Sequence, residues 1–110
     1  MYDFKELKND ASGDYYWGKC LDYGDVYEGD FKDDCFDGKG KYIFADGGVY
    51  EGEYLNDLRN GKGKIVFTDG DVYEGDFKDD EFNGRGKYIF ANGVVYEGEW
   101  KKGEYYETWN

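Results

Sequence analysis

Residues 27–49 read YEGDFKDDCFDGKGKYIFADGGV, and the next 23 residues, 50–72, read YEGEYLNDLRNGKGKIVFTDGDV. Residues 73–95 read YEGDFKDDEFNGRGKYIFANGVV, and a fourth copy opens at Tyr96 with YEGEW. The first and third copies differ only where Cys35, Asp37, Lys39, Asp46 and Gly48 meet Glu81, Asn83, Arg85, Asn92 and Val94. Self-similarity at a fixed period is the signature of an array in which each unit packs on its neighbours.

The alternation inside a copy has period two, which is that of a strand. Tyr27, Gly29 and Phe31 share one face, with Glu28 and Asp30 on the other. Gly38, Gly40, Tyr42 and Phe44 likewise lie opposite Lys39, Lys41 and Ile43. The polar stretch 32–37 separates the two strands, and Ala45-Asp46-Gly47 supplies a second turn of the Asp-Gly kind. Each copy is therefore read as a hairpin, and successive hairpins continue one antiparallel ribbon.

Glycine inside a strand is weak unless something covers it. The rings at Tyr27 and Phe31 are expected to lie over Gly38 and Gly40 of the neighbouring strand, each replacing the packing that the other lacks. The fold expected is all-β: a single-layer ribbon of tandem antiparallel hairpins, twisted, with a concave aromatic groove. The chain is read as one domain over 1–110. Residues 1–26 form a degenerate first unit, 27–49, 50–72 and 73–95 the full repeats, and 96–110 a partial repeat with a C-terminal cap. Within the first unit, residues 18–26 parallel the second half of a repeat with one residue fewer.

Composition narrows the functional classes. Among 110 residues there are 18 Gly, no Pro and no His, and aromatic residues make up 22%. The absence of His removes the usual acid/base and nucleophile-activating partner and most zinc sites. With 14 Lys+Arg against 26 Asp+Glu, the net charge is -12. That balance disfavours nucleic acid, whose phosphates require Lys and Arg, and disfavours anionic lipid. It favours a basic partner. Cys20 and Cys35 are read as two reduced thiols of a cytoplasmic protein. No secretory leader is read at the N-terminus, and no apolar stretch approaches membrane-spanning length.

The pattern Tyr-Glu-Gly-Glu/Asp-aromatic, then Asn/Asp-Gly-x-Gly, then Phe-x-Asp-Gly, resembles the membrane occupation and recognition nexus (MORN) repeat over residues 18–103. In the second copy Leu55, Leu58 and Ile65 stand where the first has Lys32, Cys35 and Tyr42. The resemblance implies an elongated ribbon with a concave groove. It also implies roles as scaffolds in cilia and cytoskeletal structures, in junctional and lipid-associated proteins, or beside methyltransferase and lipid-kinase segments. No such catalytic segment is present in these 110 residues.

The expected partner-binding groove is the aromatic row Tyr27, Phe31, Tyr50, Tyr54, Tyr73, Phe77, Tyr96 and Trp100, whose edges a one-layer sheet is expected to leave open. Trp100 is read either as a binding anchor or as an end cap. The repeated carboxylates Glu51, Glu53, Glu74 and Asp76 are expected to add charge complementarity. Four equivalent acid pairs, counting Glu28/Asp30 and Glu97/Glu99, offer no pair with distinct environments, which argues against glycosidase-type chemistry. Asp-rich turns lack the frame of a calcium loop, and the Gly-Lys-Gly steps lack that of a phosphate loop. No catalytic residue, cofactor or metal is expected. The reading is a non-catalytic module binding a basic or amphipathic protein segment. Its rivals are a structural subunit of a ciliary or cytoskeletal assembly, and a module for phospholipid surfaces. The oligomeric state stays open.

Overall fold

The computed structural model describes residues 3–9 and 15–106. Among the described residues ten strands follow one another in chain order: β1 (Asp3–Asn9), β2 (Tyr15–Asp22), β3 (Asp25–Lys32), β4 (Cys35–Ile43), β5 (Val49–Leu55), β6 (Leu58–Val66), β7 (Val72–Lys78), β8 (Glu81–Ile89), β9 (Val95–Lys101) and β10 (Glu104–Tyr106). They form one antiparallel sheet in which each strand pairs only with its sequence neighbours. The ribbon measures 47 × 28 × 18 Å. Its radius of gyration, 15.2 Å, exceeds the roughly 13 Å of a compact domain of this length. The chain is thus all-β, a single layer of tandem hairpins.

Two kinds of turn alternate. The turn within each repeat is shorter than the expected stretch 32–37. Asp33 and Asp34 have φ of 50° and 65°, and the pairs Asn56-Asp57 and Asp79-Asp80 repeat that geometry. These are two-residue turns of type I′, whose twist matches that of the flanking strands, and Asn and Asp tolerate the left-handed backbone they need. Cys35, Phe36 and Asp37 consequently belong to a strand. The turn between repeats is longer. Phe44 N–H donates to Gly48 O at 2.9 Å and Gly47 N–H to Phe44 O at 2.9 Å, with Gly47 at φ 102°. In the first unit one residue is missing, and Tyr23-Gly24 closes β2 on β3 as a two-residue turn with Asp22 opposite Asp25.

Register explains the glycines. Gly18, Gly29, Gly40, Gly52, Gly63, Gly75, Gly86 and Gly98 stand opposite one another strand after strand, forming a bare row across the sheet. The Tyr27 ring lies on this row. A Cβ on Gly40 would sit 2.5 Å from Tyr27 Cζ, and one on Gly29 would sit 2.5 Å from Gly40 Cα.

Gly38 is different, and here the expectation is corrected. It belongs to a bulge, because Gly29 pairs with Gly40 and Phe31 with Phe36, leaving one residue on β3 against three on β4. Its φ is 101°, and its would-be Cβ meets the Asp30 side chain, not a ring. The bulge is tied twice. Asp30 Oδ2 accepts Lys39 N–H at 3.0 Å, and Tyr27 O–H donates to Asp30 O at 2.7 Å. Glu53 and Asp76 repeat the first contact with Lys62 N–H and Arg85 N–H, and Tyr50 and Tyr73 repeat the second. One mechanism thus accounts for Tyr, Gly, the acid and both later glycines of the motif.

Candidate binding groove

Seven of the eight rings expected to line an open groove are closed. Tyr27, Phe31, Tyr50, Tyr54, Tyr73, Phe77 and Trp100 are each at most 7% exposed, whereas Tyr96 is 42% exposed. A single layer manages this because the rings form a second layer themselves. Edge-to-face contacts run from Phe31 to Tyr27, Tyr54, Tyr50, Phe77, Tyr73 and Trp100, with centroids 5.1–5.4 Å apart. Alternating rings near 85° suit the aromatic quadrupole and leave no open edge. Tyr96 stacks on Tyr105 of β10 at 5.0 Å and 20°, yet much of its ring stays open.

Trp100 occupies the fifth position of its unit, like Phe31, Tyr54 and Phe77. It donates from Nε1 to Gly86 O at 3.0 Å and packs on Tyr73 and Phe82. β10 pairs with β9 as a final strand beyond it, with Tyr105 against Trp100 at 5.1 Å.

The four carboxylates expected to add charge complementarity lie on the face opposite the rings, where the period of two puts them. Glu51 and Glu74 belong to a ladder of alternating charge, Lys19, Glu28, Lys41, Glu51, Lys64, Glu74, Lys87 and Glu97, each opposite the next. Cross-strand pairing neutralises that face. Glu53 and Asp76 hold the bulges. Partial burial pushes the Asp76 carboxyl up, but hydrogen bonds from the Lys62 ammonium and Arg85 N–H prevail and hold it below the usual aspartate value.

The ring-bearing face draws its acids from the turns and the residues that flank them instead. Asp25 accepts Tyr42 O–H at 2.7 Å and Ala45 N–H at 2.7 Å, and Asp71 does the same for Tyr88 and Ala91. Burial, then the hydrogen bond to Asp71, pushes the Tyr88 phenol up to about 12. Asp57 Oδ1 accepts Phe36 N–H at 2.7 Å while its own N–H donates to Phe36 O at 2.9 Å, so each turn is clipped to the preceding repeat.

Over the closed core lies a second set of rings, Tyr42, Phe44, Phe67, Phe82, Tyr88 and Tyr105, partly buried and packed against it. These, with Phe90, form the accessible aromatic surface. Two cavities open there. One, of about 280 Å³, is lined by Phe36, Tyr42, Phe44, Tyr54, Asp57, Arg59 and Asp80. The other, of about 290 Å³, is lined by residues that include Phe44, Asp46, Gly48, Arg59, Ile65 and Phe67.

The MORN repeat pattern matches residues 27–49, 50–72, 73–95 and 96–105. The chain belongs to the MORN repeat family. No curated protein matches it. MORN repeats are non-catalytic modules for interaction with proteins or membrane surfaces. Among the described residues no group of His, Cys, Asp or Glu is arranged to hold a metal ion, and no helix is long and apolar enough to cross a membrane.

Within this MORN array, reading the sequence missed the tenth position of the repeat. Phe36 stacks on Tyr27 at 3.8 Å and 9°, and Phe82 on Tyr73 at 3.9 Å and 11°. The middle repeat has Arg59 there, its guanidinium 5.8 Å from the Tyr50 ring centre and 5.4 Å from that of Phe77. The signal was present as Phe, Arg, Phe at a fixed place, but that place falls in the stretch read as a polar turn.

Proposed function

We propose that this MORN module binds a basic, amphipathic protein segment along its ring-bearing face, with no catalysis of its own. The observation that carries the reading is the half-buried row of Phe44, Phe67, Tyr88 and Phe90 beside the turn carboxylates Asp46, Asp57 and Asp80. Aromatic surface gives affinity, and flanking acids steer and orient a cationic partner. The opposite face, where Lys and Glu alternate, offers no basic patch to anionic lipid. A cytoplasmic setting beside cytoskeletal or ciliary structures belongs to the same proposal.

The test is selection of binders from a displayed library of amphipathic peptides with varied charge. Basic members are expected to be enriched. Replacing Phe44 and Phe67 together with Ser is expected to weaken their binding by on the order of 2 kcal/mol or more. Enrichment of acidic members, or unchanged affinity in the folded double variant, defeats the reading.

A second reading has its own observation. Val94, just before β9, and Val95 and Tyr96 at its start are 48%, 44% and 42% exposed. An apolar cluster at the end of an array suits a structural subunit whose ends join others. Light scattering across a concentration series tests it: association abolished by Val95→Lys supports this reading, and a monomer at all concentrations removes it.

A further inference from the structure

We infer that the cavity at the centre of the groove is a cation subsite that takes one Lys or Arg side chain of the protein partner. The inference rests on the groove reading above and localises it to one place in an otherwise repeating surface.

The middle repeat breaks the array. Arg59 stands where the flanking repeats have Phe36 and Phe82, Ile65 where they have Tyr42 and Tyr88, and Gly48 where Asp25 and Asp71 bind the tyrosine hydroxyl. Two repeats further on, the place of Arg59 is taken by Tyr105, which packs against Trp100 and Tyr96. At that end of the array a ring thus occupies the place that Arg59 holds beside the cavity lined by Phe36, Tyr42, Phe44, Tyr54, Asp57 and Asp80.

Its chemistry favours a cation. Four aromatic side chains line it, and ring faces attract ammonium and guanidinium groups. Arg59 is already engaged: its Nε donates to Asp80 Oδ1 at 3.2 Å and its Nη2 to Asp80 O at 2.6 Å. Asp57 remains, hydrogen-bonded to the Phe36 amide and the Cys35 thiol but with no cation within ion-pair distance among the described residues. The formal balance of Arg59, Asp57 and Asp80 is negative, and Asp46 lines the adjoining cavity. A volume of about 280 Å³ lies just below the range of whole small-molecule sites and suits a single side chain.

The probe is n-butylguanidinium, titrated into the 15N-labelled protein, with n-butyrate as the anionic control. Saturable shifts are expected at the amides of Phe36, Asp57 and Arg59, with none from butyrate. Asp57→Asn keeps the acceptor for the Phe36 amide and removes the charge; affinity is expected to fall about threefold or more. Unchanged affinity in that variant overturns the subsite, as do shifts spread evenly over all Asp-rich turns, or butyrate seated at Arg59. The two readings fail separately. A library peptide that binds through Phe44 and Phe67 but is indifferent to Asp57→Asn removes the subsite and leaves the groove. Guanidinium binding with no peptide binding does the reverse.

Discussion

The Tyr27 ring lies flat on Gly40, so close that a single methyl group on that glycine would stand 2.5 Å from Tyr27 Cζ. Ring and glycine come from neighbouring strands 13 positions apart. Gly63 under Tyr50 and Gly86 under Tyr73 repeat the relationship. Gly40→Ala must therefore displace a ring that is 1% exposed. Overpacking of this kind costs about 1–3 kcal/mol, and more where backbone must move. A chemical-denaturation midpoint equal to that of the parent protein would contradict the contact.

The Tyr73 hydroxyl donates to Asp76 O at 2.8 Å, at the carbonyl beside the bulge of the third repeat. Tyr73→Phe keeps the stacking on Phe82 and removes only that donor. The expected loss is about 1 kcal/mol, rising toward 3 if water cannot reach the carbonyl. Urea unfolding measures it, and a more stable variant would show that the bond contributes nothing.

Arg59→Phe restores to the middle repeat the ring that Phe36 and Phe82 supply to its neighbours. Stacking on Tyr50 is expected to add about 0.5–1.5 kcal/mol. The Arg59–Asp80 pair that is lost has Asp80 44% exposed and contributes little. The net effect is a higher melting temperature. A lower one would mean that Arg59, with its bonds to Asp80, is the better fit at that place.

Several tyrosines resist ionisation. Burial is the first cause for Tyr27, Tyr50, Tyr54, Tyr73 and Tyr88, and it pushes Tyr73 and Tyr88 up to about 12. A group whose folded value is raised contributes stability that is complete below its unfolded value, near 10 for tyrosine, and is lost as pH rises through the folded value. The array is thus expected to unfold between about pH 10 and 12, with the late tyrosine absorbance change coincident with loss of the far-ultraviolet signal. Full ionisation of the buried tyrosines in a still-folded protein would refute it.

Asp76 gives the acid-side counterpart. Its carboxyl is lowered, so its contribution is complete above the ordinary aspartate value of 3.8 and is lost as pH falls through the lower folded value. Asp76→Asn is expected to flatten the acid limb of the stability profile. An unchanged limb would place the acid sensitivity elsewhere.

How far the sequence could be read depended on distance along the chain. Strand alternation, the Asp-Gly turns and the pairing of Tyr27 with Gly40 are settled within one 23-residue unit, because each involves adjacent strands and a period of two. The limits of the first turn were misread because Cys35, Phe36 and Asp37 are polar enough on average to hide one buried ring. A type I′ turn needs only Asp33 and Asp34. The separate roles of the acids were hidden for a related reason. Glu51 and Glu53 look alike in sequence, yet the bulge turns Glu53 to the Lys62 amide while Glu51 stays in the charge ladder with Lys41 and Lys64.

The sequence by itself determined the family, the all-β ribbon and the two faces of each strand, since repetition makes every local preference point the same way in each copy. Tertiary structure alone decided which rings are closed. Tyr27 is covered by Phe36 from its own repeat and by Tyr54 from the next, whereas Tyr96, at the same place in its own unit, keeps 42% of its surface open. Burial of a ring is a property of what is stacked against it from another unit, and no pattern confined to one unit can state it. The same holds for the groove, whose accessible surface passes from the first-position tyrosines to Phe44 and Phe67 once the tyrosines have closed on one another.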